Sequence, residues 1–414
     1  MNNIFIYQLY KFLSYLFHFF SNFYLRNRVV KKKEDIKRFK EKIGKYKIKN
    51  NKNTVWFHAS SLGEIKSISP LIIYYNKIIK QKILITTATL SSAKYCHNFF
   101  KFCPNIIHQF SPIDTPIAVK KFLNHWRPKV ALITESELWP NLIFETKKRC
   151  KLILLNARLS KKSFNRWKYI KNFARIIFLQ FDLIIAQSEE TKKFIEYFNV
   201  NKIKYFGNLK FCQNENKKVQ KKIKITNKKF QWVAMSTHSG EEQILFDTIK
   251  ILKSKNHFFQ CILVPRHIDR IDKIINIIKK NNLSYRIYDN KNDQTLGNDI
   301  LIINTYGQAD IIFEQVKTVY MGGSFVRHGG QNPLEAAMKN CKIFHGKYIE
   351  NFTEIYKYLK KNNISKIVNN QNHLAKELVN ISKKKTRFSF KKILKLKSKK
   401  ILLGYQSQLD QYLK

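Results

Sequence analysis

From residue 54 onward, short β-rich runs alternate with helical runs, and the alternation occurs twice. The first set of strand-like runs includes 54–58, 83–86, 130–134, 152–155 and 183–186, with helical stretches such as 65–80 and 116–126 between them. Residues 212–229 interrupt this pattern with a polar, lysine-rich stretch that has no apolar period and reads as a linker. A second set of strand-like runs follows at 232–235, 261–264, 300–303, 319–321 and 342–344. Strands alternating with helices predict parallel sheets of βαβ units. A chain of 414 residues allows two such domains, each with its own core. The expected fold class is α/β, with two Rossmann-like, doubly wound domains facing a cleft. The expected boundaries are an N-terminal segment 1–30, a domain 31–211, the linker 212–229, a domain 230–390 and a helical tail 391–414. The stretch 384–400 mixes lysine with Phe, Ile and Leu. It reads either as a solvated closing helix or as a basic amphipathic helix touching a membrane.

One loop carries much of the chain's glycine. Residues 322–337 read Gly-Gly-Ser-Phe-Val-Arg-His-Gly-Gly-Gln-Asn-Pro-Leu-Glu-Ala-Ala and hold four of the twelve glycines. The apolar run Val319-Tyr320-Met321 precedes the loop, and a helix-like run starting at Asn332 follows it. Strand, glycine-rich loop and helix start are the ingredients of an anion site. Backbone N–H groups at a helix N-terminus lack partners, and glycines let the backbone approach a phosphate. Pro333 suits the first helical turn, and Glu335 can accept from sugar hydroxyls. A structural turn between strand and helix explains the glycines equally well.

The net charge is +50, carried mostly by lysine. Such a surface attracts polyanions: anionic lipid, a phosphorylated glycolipid or nucleic acid. Specific nucleic-acid binding is not expected, because the lysines are spread along the chain and the aromatics concentrate at the N-terminus. The six cysteines lie far apart, with no metal-ligand spacing and no disulfide framework. No DxD-like pair is apparent at a strand end, so neither a metal nor a cofactor is expected.

Residues 4–25 are apolar and rich in Phe and Tyr, with Lys11 as the sole full charge. Arg26, Arg28 and Lys31 to Lys33 follow at once. The length suits a membrane anchor. The polar residues Gln8, Lys11, Ser14, His18 and Ser21 recur every three or four positions and mark one helix face, which suits a helix lying in the interface as well. The basic cluster favours a body on the cytoplasmic side. A buried helix of a soluble fold is the alternative.

Several polar residues stand where strands end. Glu64 closes His58-Ala59-Ser60-Ser61-Leu62-Gly63-Glu64; by spacing it is a helix-capping glutamate, and by chemistry it is also a carboxylate able to take a hydroxyl proton. Glu135 and Glu137 flank Ser136 and share one side if the strand continues to them. Ser236-Thr237-His238 follows the run 232–235 and opens toward Glu241-Glu242, as a helix cap with a first-turn acid pair or as a phosphate-facing loop. Pro265-Arg266 follows 261–264, and an arginine offers a phosphate bidentate pairing that lysine does not.

These segments occur as blocks: WFHASSLGE (56–64), SPIDTP (111–116), ESELWPN (135–141), NARLSKKS (156–163), GNLKF (207–211), STHSGEE (236–242), VPRH (264–267) and the glycine-rich loop. In content and order they resemble the Kdo transferases, which move 3-deoxy-D-manno-octulosonic acid (Kdo) from CMP-Kdo onto a lipid A precursor. The resemblance covers residues ~55–355. It implies the two-Rossmann glycosyltransferase architecture called GT-B. The first domain would bind acceptor and the second CMP-sugar. It also implies an inverting, metal-independent enzyme at the cytoplasmic face of the inner membrane. It implies Glu64 as general base, with Glu135 and Lys210 supporting the transition state. It implies a donor site at Ser236, Thr237, His238, Pro265, Arg266, Gly307, Gln308, Ala309, Gly322, Gly323, Ser324, Asn332, Pro333, Leu334 and Glu335. Three positions depart from the family's pattern: Gln308 replaces a glutamate, Lys317 an aspartate, and Gln331 a histidine. Those departures cluster around the nucleotide subsite. They leave open a related enzyme using a UDP-sugar, in the manner of a lipid A disaccharide synthase or a 2-epimerase, and an inactive homologue.

Overall fold

The structure, a computed structural model, describes residues 3–48, 53–213, 230–288, 297–384 and 389–414. Most of the expected linker lies outside the described residues. The chain divides into two compact units, residues 1–214 with 397–414 and residues 215–396.

Each unit is a seven-stranded, wholly parallel sheet. In the first, the strands are β1 (Val55–His58), β2 (Ile83–Thr87), β3 (Ile106–Phe110), β4 (Val130–Thr134), β5 (Lys151–Ala157), β6 (Leu183–Ala186) and β7 (Ile203–Tyr205), in the order β3-β2-β1-β4-β5-β6-β7. The second holds β8 (Phe230–Thr237), β9 (Phe259–Pro265), β10 (Tyr285–Ile287), β11 (Ile300–Ile302), β12 (Thr318–Met321), β13 (Lys342–His345) and β14 (Ser365–Ile367), in the order β10-β11-β9-β8-β12-β13-β14. Strand order reverses between β1 and β4 and again between β8 and β12, so each unit opens a crevice at those strands' carboxyl ends.

Local sequence explains why helices begin where they do. After β1, β2, β3, β5 and β6, the side chains of Ser61, Thr89, Thr115, Ser160 and Ser188 each accept a hydrogen bond from the backbone N–H three residues on. Pro116 occupies the first turn of its helix, where no donor is needed. Inner strands such as β1, β2 and β4 are buried at every residue. The first core centres on Trp56, Phe122, Trp126, Leu154 and Phe178, and the second on Trp232, Phe246, Ile274, Tyr320 and Phe344.

The N-terminal segment is one helix, α1 (Asn3–Val30). Among the described residues no helix is long and apolar enough to cross a membrane. Of the polar stripe read in the sequence, Ser14, His18 and Ser21 face the protein while Gln8 is exposed: His18 Nδ1 lies 2.8 Å from Thr115 Oγ1 and Asn141 donates to Ser14 Oγ at 2.9 Å, and beside the stripe Tyr10 donates to Asp114 at 2.7 Å. The aromatic stripe is left outside, with Phe19 75% exposed, Phe20 69% and Phe23 68%. The closing helix, Phe390–Leu413, is neither wholly solvated nor free. Its Ile401, Tyr405 and Leu409 are buried, and Asp410 accepts from Tyr75 at 2.9 Å within the first unit.

Candidate active site

In the first unit the crevice between β1 and β4 is lined by acids. Beyond β1 the chain turns through Ser60 and Ser61 into α2 (Leu62–Ile78). Glu64 sits one turn in. One carboxylate oxygen accepts from the Ser60 N–H and the other from the Ser61 hydroxyl, both at 2.8 Å. The capping role read from spacing is therefore real. Burial pushes the Glu64 carboxyl up to about 7, helped by the charges of Glu135 and Glu137 and opposed by the Ser61 and Ser60 hydrogen bonds. A cap has been made into a group that titrates near neutrality.

Beyond β4 the backbone departs from the alternation expected of a continuing strand. Glu135 adopts a left-handed φ of +58°, a conformation costly for a non-glycine residue and common where function fixes the backbone. The twist sends the two acids to different partners. Glu135 is buried and lies 2.9 Å from the Lys210 ammonium. Glu137 lies 3.5 Å from His58 Nε2 and accepts from the Trp139 indole at 2.7 Å. Burial alone would raise the Glu137 pKa, but the hydrogen bond from His58, the His58 charge and the Trp139 bond outweigh it and hold the group below its ordinary value. Three neighbouring carboxylates thus have separate surroundings: one carries a proton near neutrality, one is ion-paired, and one accepts from an indole beside an imidazole.

Lys210 owes its place to the NARLSKKS and GNLKF blocks. Asn208 caps its short helical turn by accepting from the Lys210 N–H at 2.9 Å, and Asn156 accepts from the Leu209 N–H at 2.9 Å. Asp114 does the same for the helix Pro140–Lys147, accepting from the Leu142 N–H at 2.7 Å. Sequence reasoning did not single out His58, Asp114 or Asn156. The matched blocks contain all three.

In the second unit Ser236 and Thr237 end β8 with His238 just beyond, Pro265 ends β9 with Arg266 just beyond, and Gly322-Gly323-Ser324 follow β12. Gly322 is glycine because a Cβ there would collide with the Ser236 carbonyl. The N–H groups at the start of the loop are taken up within the protein. Those of Gly323, Ser324 and Phe325 donate to Glu241 at 2.6, 3.0 and 3.0 Å, and Glu241 also accepts from the His238 N–H and the Tyr320 hydroxyl at 3.0 and 2.8 Å. Glu241 is wholly buried. Read from the sequence as half of a first-turn acid pair, it is the anchor that shapes the loop. The helix after the loop is short, Leu334–Met338, with Pro333 before its first residue and the Asn332 side chain accepting from the Leu334 N–H at 3.1 Å. Glu335 lies in its first turn.

What the loop does present is cationic and aromatic. The rings of His238 and His328 stack at 4.2 Å, His267 lies 6.1 Å from His238, and Gln331 Nε2 lies 3.1 Å from His238 Nε2. Arg266 is exposed beside them, its N–H donating to the Thr237 carbonyl at 3.1 Å. Burial holds His238 below its ordinary pKa, as do the charges of His328, His267 and Arg266, while Glu241 opposes them. Gly307, Gln308 and Ala309 follow β11, with Gln308 at the start of the helix Ala309–Gln315. Lys317 donates to the carbonyls of Phe313 and Lys339 at 2.7 and 3.0 Å, so this departure from the family pattern serves helix ends. Among the described residues no cluster of His, Cys, Asp and Glu could hold a metal ion.

Comparison with known proteins agrees with this arrangement. The family model for 3-deoxy-D-manno-octulosonic-acid transferase (kdotransferase) matches residues 37–213. The 3-deoxy-D-manno-octulosonic acid transferase of Rickettsia prowazekii is 34% identical over 374 residues, covering 87% of this chain and 80% of the relative. That of Haemophilus influenzae is 30% identical over 323 residues, covering 74% and 73%. Among solved structures, a glycosyltransferase from Rickettsia africae (TM-score 0.56, 13% identity, 88% of this chain and 99% of that one) shares the fold. So does a UDP-GlcNAc 2-epimerase from Methanocaldococcus jannaschii (TM-score 0.54, 15% identity, 85% and 99%). On this identity and coverage, this chain belongs to the 3-deoxy-D-manno-octulosonic acid transferases.

Proposed function

We propose that this enzyme transfers Kdo from CMP-Kdo to a lipid A precursor, an acylated and phosphorylated glucosamine disaccharide, with inversion at the anomeric carbon. The observation that carries this reading is Glu64: a half-buried carboxyl poised at about 7, beside a Glu135–Lys210 ion pair at 2.9 Å. Its carboxylate takes the proton of the acceptor's primary hydroxyl. The hydroxyl oxygen forms a bond to the anomeric carbon, and the bond from that carbon to the phosphate oxygen breaks, its electron pair leaving with CMP. Lys210, held in place by Glu135, faces the charge that develops in this step. In the second unit Arg266, Pro265 and the Ser236–His238 turn bind the donor's phosphate and carboxylate. Asn332, Pro333, Leu334 and Glu335 address the nucleotide, with Gly307, Gln308 and Ala309 at its margin. The Gly322–Ser324 turn, clamped by Glu241, gives the site its shape.

The same reading puts the protein at the inner membrane, with α1 lying in the interface and the body on the cytoplasmic side. The exposed Phe19, Phe20 and Phe23 and the cations at 26–33 support it. The test is a transferase assay with CMP-Kdo and a tetraacylated lipid A precursor, read by mass spectrometry of the lipid. The expected result is a mass gain in whole Kdo units that Glu64→Gln lowers by ~10²–10⁴-fold while CMP binding persists. A Glu64→Gln enzyme of unchanged rate would overturn the assignment of the base. A lipid that gains no mass would overturn the substrate.

A further inference from the structure

A cavity of about 680 Å³ lies beside the crevice of the first unit. Leu13, Phe17 and Leu25 of α1 form part of its wall, and Pro112, Ile113 and Leu142 form another part. His58, Ser60 and Glu137 line the same cavity, so it reaches the turn whose N–H holds Glu64. Its charged lining is already committed. Glu34 pairs with both Arg28 and Lys42 at 2.7 Å, and Asp114 accepts from Tyr10 at 2.7 Å. Paired groups of this kind add little attraction for a charged ligand, and the remaining surface is largely hydrocarbon. Volumes of ~300–1,000 Å³ with apolar walls and a few convergent polar groups are typical of small-molecule sites.

We infer that this cavity holds one acyl chain of the acceptor and that α1 selects acceptors by chain length. The inference rests on the lipid acceptor proposed above. The occupant follows from three features. The cavity is apolar where it is unpaired. It adjoins the base, so a chain in it is tethered to a sugar at the reacting hydroxyl. Its α1 wall continues into the exposed Phe12, Leu16 and Phe20, so a chain passes from a membrane interface along the helix without crossing polar surface. α1 is then one wall of the acceptor site as well as a lipid-facing surface. Each methylene withdrawn from water into such a wall changes affinity roughly fourfold.

The test uses the full-length protein in mixed micelles with synthetic acceptors carrying C14, C12 or C10 chains, and a deacylated disaccharide phosphate. The expected result is a kcat/KM that falls roughly fifteenfold for each two carbons removed, largely through KM. Leu13→Trp, which fills the cavity from a half-exposed position, is expected to lower the C14-to-C10 ratio of kcat/KM at least tenfold. Leu13→Ala is expected to move that ratio the other way. Transfer that ignores chain length, or a ratio unmoved by either variant, overturns the acyl site and leaves the transferase reading standing. Absence of transfer to every acceptor overturns both.

Discussion

Glu64 shows how a common local motif becomes a reactive one. A serine followed three residues later by glutamate is a helix start, and here the Glu64 carboxylate takes two hydrogen bonds, from the Ser60 N–H and the Ser61 hydroxyl. They lower the carboxyl's pKa, yet burial and two neighbouring acids carry it to about 7. If Glu64 is the base, kcat/KM falls on the acid side with an apparent pKa near 7, and a pH–rate profile of the wild type reads this directly. Linkage gives a second expectation of definite sign. The folded-state pKa is raised above the ordinary 4.5, so the folded protein binds this proton more tightly than the unfolded chain does. The stabilising contribution is complete below pH about 4.5 and is lost as pH rises through about 7. Glu64→Gln should therefore melt higher than wild type at pH 8, with the gap closing as pH falls. Glu241 is a buried acid of another kind, its carboxylate oxygens accepting from five donors. Glu241→Ala strands three loop N–H groups and is expected to cost about 3 kcal/mol or more in denaturant unfolding. Tyr320→Phe removes one donor of the five and is expected to keep the fold while weakening donor affinity, seen as a rise in the donor KM at similar kcat.

At the scale of elements, α1 is the informative case. Leu25 is its deeply buried apolar side chain, whereas Phe12, Phe19, Phe20 and Phe23 are exposed. Its attachment therefore leans on the hydrogen bonds from Tyr10 to Asp114 and from Asn141 to Ser14, and on the contact of His18 with Thr115. Asp114→Ala removes the acceptor of Tyr10 and uncaps the helix Pro140–Lys147 together. The expected cost is about 2 kcal/mol. Hydrogen exchange should show α1 amides exchanging roughly 30-fold faster, with β1 and β4 still protected. Equal loss of protection across the whole first unit would contradict local docking.

For the whole molecule, the charge of +50 and the aromatic face of α1 predict two separable contributions to membrane binding. Sedimentation with anionic vesicles should weaken as salt rises, because the lysine contribution is screened beyond roughly 10 Å at 0.1 M. The triple change Phe19→Ser, Phe20→Ser, Phe23→Ser should lower partitioning at least about tenfold at every salt concentration, because the apolar contribution is not screened. Salt-independent binding, or a triple variant that binds as wild type does, would refute the division.

The amino-acid sequence by itself determined the class of the molecule. The ten runs read as strands are the ten inner strands of the two sheets, because a parallel strand buried on both faces must be apolar along its length. The four strands outside that reading, β3, β7, β10 and β14, are the four sheet edges. Each is partly solvated and carries polar residues, so its pattern does not differ from a loop's. The motif blocks likewise fall at the carboxyl ends of strands. What the side chains do there was decided by tertiary structure. No local pattern says that Glu135 turns left-handed toward Lys210, that Glu241 consumes the N–H groups of the glycine-rich loop, or that α1 puts its polar face inward. Each of these outcomes depends on partners 75 to 127 residues away or on burial supplied by other strands, and contacts at that separation exist only once the chain has folded.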